Sequence, residues 1–230
     1  MLDCTTEKYD DLYERWLDKP GELLDWAKYD PKKHRLLDLC GGTGAVSKAA
    51  LARGAERVWL LDLNPRAKDK RIESIVGRAE DLSASSPFNP LADDECRYPY
   101  NWLPDARSDR WSLVVCRQAL GYLNLPRVAV RLRTVMAPRG RFVFNTFVRP
   151  KWSFKTYRRT SSDWTRRYYE ASAYLGRRVV HLQGRVGAGL DVTSFRWWTE
   201  RDILEAFRQG WSVADFKATP TSLWFSFECL

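Results

Sequence analysis

Asp38 and Asp62 have the strongest claim to chemistry in this chain, because of what stands between them. Asp38 lies in Leu-Leu-Asp-Leu-Cys-Gly-Gly-Thr-Gly, residues 36–44, and Asp62 closes a second apolar run, Val-Trp-Leu-Leu, eighteen residues after Gly44. The pattern reads as a strand, a glycine turn, a helix and a second strand that ends in an acid. Glycines let such a turn pass close to a ligand, since a residue without Cβ accepts positive φ and leaves no side chain in the way. An acid at the end of the next strand can bind two adjacent ribose hydroxyls, a geometry shared by dinucleotide and other adenosine sites. By shape this is a nucleoside-cofactor site.

The spacing argues against a dinucleotide. A pyrophosphate loop needs G-x-G-x-x-G, and here Gly42 and Gly44 supply two glycines while Ser47 occupies the third place. No G-x-x-x-x-G-K-[ST] phosphate loop is present, which disfavours a nucleoside triphosphate. The stretch resembles motif I of the class I S-adenosylmethionine-dependent methyltransferases, hydrophobic-Asp-hydrophobic-Gly-x-Gly-x-Gly. On that resemblance Asp38, Cys40, Gly41, Gly42, Thr43 and Gly44 line the methionine part of the cofactor, with Cys40 standing where the first glycine normally is. Asp62, followed by Leu63, matches the acid used for the ribose hydroxyls. S-adenosylmethionine as methyl donor, S-adenosylhomocysteine as product and no metal are what the resemblance implies.

The elements that must position these residues fit the same family. Residues 9–26 carry apolar side chains at a helical period and predict helices that cover the cofactor mouth or pack on the sheet. Residues 45–53 are alanine-rich and stop at Gly54 as a helix does, and the N–H groups of the first turn suit the methionine carboxylate. Residues 74–76 predict a third strand, followed by Gly-Arg-Ala-Glu-Asp-Leu, where the family commonly has Gly-Asp-Ala-Glu-Asp-Leu and uses the first Asp on adenine. Arg78 replaces that Asp, which leaves the Ala79 backbone, Glu80 or Asp81 for the adenine contact. Residues 111–116 predict strand four, and Cys116, Arg117 and Gln118 at its end resemble the family segment that faces the transferable methyl.

A helix over 125–136, a turn at 138–140, strand five over 141–147, a helix over 200–209 and strands over 211–216 and 222–229 complete the order. The resemblance implies an antiparallel final strand beside the sixth. The expected fold is α/β: a doubly wound, mostly parallel seven-stranded sheet with helices on both faces, plus a small antiparallel lid. One domain over residues 1–230 is expected, with insertions at about 83–110 and 150–198 closing over the carboxyl ends of the strands.

Composition agrees with this reading. The chain has 230 residues, a size usual for one α/β domain, and 44% apolar content suffices for a buried sheet. No apolar run approaches the roughly 18 residues of a membrane span, and the N-terminus lacks signal-peptide features, so a cytoplasmic location is expected. Five scattered cysteines and two histidines have no metal-ligand spacing and read as reduced thiols in a zinc-free protein.

The net charge of +9 is dense over 149–178, where arginines interleave with aromatics. Such a stripe could track a nucleic-acid backbone, form a solvated face, or hold an anionic small substrate. The segment after strand four, Cys-Arg-Gln-Ala, lacks the Asn/Asp-Pro-Pro-Tyr/Phe of enzymes that methylate base amino groups. Cys116, preceded by Val115, reads as a buried strand-end thiol rather than a cytosine nucleophile.

The expected reaction is therefore methyl transfer to an O or N atom of a small molecule, which needs alignment and removal of one proton. Candidates for that proton transfer are His181, Tyr122, Tyr168 and Glu170. A nucleic-acid methyltransferase and a catalytically silent cofactor-binding or interaction module are the alternatives.

Overall fold

The computed structural model describes residues 19–82, 110–147, 179–186, 189–196, 198–219 and 222–230. Strand β1 (Leu36–Leu39) lies inside a seven-stranded sheet, between β2 (Val58–Asp62) and β4 (Trp111–Arg117), with β3 (Ile72–Val76) beyond β2 and β5 (Met136–Phe147) beyond β4. Two further strands, β8 (Trp211–Ala218) and β9 (Ser222–Cys229), complete the order β3-β2-β1-β4-β5-β9-β8. β1 to β5 pair in parallel, and β9 inserts antiparallel between β5 and β8. That is the expected mostly parallel sheet with an antiparallel last strand. A separate hairpin joins β6 (Val179–Val186) to β7 (Gly189–Arg196), His181 standing opposite Ser194.

Both faces of the sheet are covered, which is why its central strands are apolar on successive residues. On one face Leu36, Leu113, Val115 and Val143 pack beneath α1 (Pro20–Trp26) and α2 (Ala45–Ala52), which bury Leu23, Leu24, Val46 and Ala50. On the other face Leu37, Leu39, Val114, Cys116, Phe142 and Phe144 meet α3 (Leu125–Val135) and α4 (Glu200–Ala206). Each fully buried large apolar side chain contributes about 1.5–3 kcal/mol. Aromatic rings thicken this second core, with Phe207 and Phe227 stacked at 4.3 Å between centroids.

Local signals start and stop the helices. Pro20 opens α1, where its missing N–H is unneeded. Asn124 Oδ1 caps α3 by accepting from the Arg127 N–H, and Leu125, Val128, Ala129, Leu132 and Val135 form the apolar stripe. Thr199 and Asp202 bond reciprocally at the start of α4.

Three expectations shift. Strand three begins at Ile72 rather than 74, because Val58 pairs with Ile72. The last helix ends at Ala206, and Gly210 follows at φ 75°. The turn expected at 138–140 is a bulge within β5: Trp111 faces Met136 and Leu113 faces Arg141, so four residues are looped out against one. Arg139 there is left-handed, and a Cβ on Gly140 would lie 2.8 Å from the Ala137 carbonyl oxygen.

The first part of the expected 9–26 helical region, the 83–109 connection, the arginine-rich 149–178 stretch, Tyr168 and Glu170 lie outside the described residues. Among the described residues no helix is long and apolar enough to cross a membrane, and no cluster of three His, Cys, Asp or Glu could hold a metal ion.

Candidate functional site

The glycine loop joins the carboxyl end of β1 to α2. Asp38 is buried to 1% exposure on the α2 face of β1. Its Oδ2 accepts from the Ser47 N–H at 3.0 Å and the Ser47 hydroxyl at 2.7 Å, tying strand to helix. Its Oδ1 has no hydrogen-bond partner among the described residues. Burial pushes the carboxyl up to about 6, against the bonds from Ser47 and the nearby Arg117 charge, which pull it down. A buried carboxylate oxygen with a lone pair in hand is a site for a cation or a donor.

The loop leaves β1 with alternating handedness. Cys40, Gly42 and Gly44 have φ of 57°, 51° and 74°. Cys40 N–H is held by the Leu61 carbonyl at 2.6 Å, Gly44 N–H by the Gly41 carbonyl at 2.8 Å, and Arg66 N–H by the Gly42 carbonyl at 2.9 Å. The glycines do different work. A Cβ on Gly41 would lie 2.7 Å from Asp38 Cγ, and one on Gly44 3.0 Å from Ala67 Cβ, so both are fixed by packing. A Cβ on Gly42 would meet nothing within 4 Å: this glycine faces open space, with Thr43 beside it. Cys40 carries a left-handed strain of about 1–2 kcal/mol that glycine would not.

Asp62 ends β2 beside this opening. Its Oδ2 accepts from the Gly42 N–H at 3.0 Å and its Oδ1 from the Asn64 N–H at 2.8 Å. Each oxygen keeps a second lone pair, so the carboxylate is aimed and can still accept from two adjacent hydroxyls. Leu63, next to it, is 45% exposed and offers an apolar surface to a base. The fit to an adenosine-bearing cofactor with a methionine tail thus rests on the open face of Gly42, the oriented Asp62 and the unpartnered Asp38 Oδ1.

At the adenine end, Ala79, Glu80 and Asp81 form a single 3₁₀ turn after β3. Glu80 Oε1 accepts from the Asn124 N–H at 2.8 Å, and Asp81 pairs with Arg127 at 2.9 Å. These two carboxylates brace the start of α3, and Ala79 beside them is buried. Arg78 is exposed.

The ends of β4 and β5 form the other wall. Cys116 is fully buried. The neighbouring Cys116 thiol and burial push the Cys40 thiol well above its usual range. Gln118 is 3% exposed and left-handed at φ 54°. Its N–H is shared between the backbone carbonyl of Asn145, at 3.0 Å, and the Asn145 side-chain Oδ1, at 3.1 Å. Tyr122 lies in the 3₁₀ turn Leu120–Tyr122, beside which β7 runs, and Trp198 Nε1 donates to the Leu120 carbonyl at 2.9 Å. The hairpin carrying His181 is therefore moored over the segment that follows β4.

Sequence reasoning missed two of these residues. Ser47 was legible as a missing glycine; its spacing of nine from Asp38, one strand and one helical turn away, was the signal for a partner. Asn145 is buried at the end of β5, and a polar residue between Phe144 and Thr146 in an apolar strand was the clue.

Strand order, glycine loop and strand-end acid together define a class I, seven-strand Rossmann-like fold of the S-adenosylmethionine-dependent methyltransferases. The chain belongs to the methyltransferase domain family, whose profile matches residues 7–209. It is 34% identical over 142 residues to the ubiquinone/menaquinone biosynthesis C-methyltransferase UbiE of Acidiphilium cryptum. That match covers 56% of this chain and 52% of the relative, so the chain matches about half the relative's length.

Solved structures agree on the fold. An S-adenosylmethionine-dependent methyltransferase from Clostridium acetobutylicum superposes with a TM-score of 0.60 at 13% identity, over 96% of this chain and 98% of that one. A Burkholderia thailandensis 1,6-didemethyltoxoflavin-N1-methyltransferase, solved with bound 1,6-didemethyltoxoflavin and S-adenosylhomocysteine, gives a TM-score of 0.55 at 14% identity, over 96% of this chain and 83% of that one.

Proposed function

We propose that this chain transfers a methyl group from S-adenosylmethionine to an O or N atom of a small-molecule acceptor. The observation that carries the reading is Asp62, held by two backbone N–H groups at the rim of an open, left-handed glycine loop. The cofactor supplies an electrophilic methyl on a sulfonium, so the protein's task is alignment and the handling of one proton.

Asp62 binds the ribose diol, Leu63 packs on the adenine, and the Ala79 backbone meets its edge. Gly42 lets the methionine part pass close to the backbone, and Asp38 Oδ1 supplies the carboxylate lone pair that its ammonium lacks in an apolar wall. Cys116, Arg117 and Gln118 line the wall toward the methyl. The two insertions, at about 83–110 and 150–198, the second of which carries the β6–β7 hairpin, act in this reading as a lid that keeps water from the reacting pair. Tyr122, His181, Tyr168 and Glu170 are the proton-transfer candidates; an amine acceptor that arrives deprotonated needs none of them. The acceptor is a small molecule, and the arginines of 149–178 suit an anionic one, with no nucleic acid required.

A second reading, methylation at carbon, is favoured by the match to a protein named as a C-methyltransferase. A carbon acceptor must lose its proton to become nucleophilic, so it demands a base where an amine does not. Radiolabelled methyl transfer across a panel of amines, phenols, carboxylates and enolisable quinols decides between them. Label on an amine or a hydroxyl is expected. Label on carbon alone would establish the second reading, and cofactor binding with no turnover would leave a silent binding module.

A further inference from the structure

Position 40 has no structural need of a cysteine. Its backbone is left-handed, φ 57°, where glycine is unstrained and any Cβ is not. Glycines already occupy the next two positions, so the loop's geometry does not explain the thiol. What stands beside it does. β1 and β4 are parallel neighbours with Asp38 opposite Val115, a register that brings Cys116 level with the end of β1. Cys40 follows directly on Leu39, the last residue of β1, and packs against the same apolar cluster that contains Cys116, so the two side chains lie on one face of adjacent strands. Cys116 is buried and Cys40 partly exposed, so a reagent entering the cofactor opening reaches Cys40 first.

The geometry points to a redox-closing pair: Cys40 and Cys116 join as a disulfide when a low-molecular-weight disulfide is in excess, and the bond shuts the cofactor loop. This rests on the loop being the cofactor site. The Cys40 thiolate attacks one sulfur of the small disulfide, whose S–S bond breaks and releases one small thiolate. The Cys116 thiolate then attacks the Cys40 sulfur and releases the second. Two protein thiols are oxidised, the small disulfide is reduced to two thiols, and the two cysteine protons end on those thiols. The raised Cys40 thiol keeps its thiolate scarce, and it is a poor leaving group on the way back, so the pair is a slow latch in both directions.

Closure disturbs the loop because the loop has no slack. A disulfide brings its two Cβ atoms to about 3.8 Å and its sulfurs to about 2 Å. Cys40 N–H is already held at 2.6 Å by Leu61, and the Cβ direction of Gly41 is blocked at 2.7 Å by Asp38. Displacement at Cys40 passes forward to Gly42 and to its 3.0 Å bond with Asp62.

The test uses the full chain carrying Cys4→Ser, Cys96→Ser and Cys229→Ser, so that the pair alone remains, together with single Cys40→Ser and Cys116→Ser versions of it. Each is incubated for hours with excess glutathione disulfide, digested for mass spectrometry, and titrated with S-adenosylhomocysteine by calorimetry before and after. Expected are a linked Cys40–Cys116 peptide two hydrogens lighter and an affinity lowered by about tenfold or more, restored by dithiothreitol. At a fixed glutathione to glutathione-disulfide ratio, saturation with S-adenosylhomocysteine lowers the equilibrium constant for the link by a comparable factor, since two states that exclude each other do so reciprocally. The Cys40→Ser version, compared with itself, changes affinity less than about twofold, whereas the Cys116→Ser version stops at a Cys40–glutathione mixed disulfide, read by its added mass.

Absence of the linked peptide, or a linked protein that binds as before, overturns the proposal. A reduced protein that binds no S-adenosylhomocysteine removes the cofactor reading, and the gating with it, whatever the peptide map shows.

Discussion

At the ends of β1 and β2 the groups around the opening are held by neighbours close in sequence, Asp38 Oδ2 by Ser47, Asp62 by Gly42 and Asn64, and the Gly42 carbonyl by Arg66, with Asp38 Oδ1 left unpartnered among the described residues. At the ends of β4 and β5 the restraints come from farther away. Gln118 is kept left-handed by Asn145 on β5, and the Leu120–Tyr122 turn is moored by Trp198 and flanked by β7, elements 27 to 78 residues distant. The first region is one strand-loop-helix unit and can be copied intact between proteins that share a donor. The second is assembled from separate elements and can change its walls without disturbing the first. A constant donor and a variable acceptor call for that division.

The largest effect that would break the comparison is at Gly41. Gly41→Ala puts a methyl 2.7 Å from Asp38 Cγ and 2.8 Å from Leu60 Cγ, and Asp38 cannot move away without opening the strand–helix bond to Ser47. Overpacking of this kind costs about 1–3 kcal/mol, and chemical denaturation should show the upper end of that range with cofactor binding lost. A mild loss with binding intact would mean that the unit is looser than its contacts imply.

Asp38 supplies the next. Its pKa of about 6 lies above the ordinary 3.8, so the folded state binds this proton more tightly than the unfolded one. Asp38 therefore contributes stability that is present below about pH 4, falls as pH rises from there to about 6, and is level above, by about 3 kcal/mol in all. Denaturation of wild type against Asp38→Asn over pH 4–7 should show that difference in slope. Binding of an ammonium-bearing cofactor runs the other way: affinity should rise with pH up to about 6, as the carboxylate becomes charged. A flat binding profile over that range would place the ammonium elsewhere.

A smaller effect sharpens the contrast from the other side. Asn145→Ala removes one of two acceptors for the Gln118 N–H and should cost about 1–2 kcal/mol in stability. S-adenosylhomocysteine affinity should stay within about threefold, while turnover on any acceptor falls further. An equal loss in both would show that the two regions are coupled after all.

The same division explains what could be read from the chain. β1, the loop, α2 and Asp62 were legible because their partners lie within some twenty-five residues of one another and glycine positions carry their own meaning. The sheet order followed from the resemblance, and the 222–229 strand was placed to the residue. Residues 138–140 read as a turn because Pro and Gly punctuate them, yet pairing on both sides keeps them inside β5 as a bulge. Glu80 and Asp81 read as candidate adenine contacts beside the Ala79 backbone; that they also hold Asn124 and Arg127 is set by how α3 docks, which no local pattern reports. Asn145 was invisible for the same reason: its role exists only once β4 and β5 lie side by side.

The central claim is that the 36–44 loop and Asp62 bind the methyl donor, and calorimetric titration with S-adenosylhomocysteine tests it most directly. Wild type should bind, and Asp62→Ala should bind about 100-fold more weakly, the loss of two charge-assisted hydrogen bonds worth about 3 kcal/mol. Wild type that binds nothing, or an Asp62→Ala protein that binds as tightly as wild type, would contradict the account.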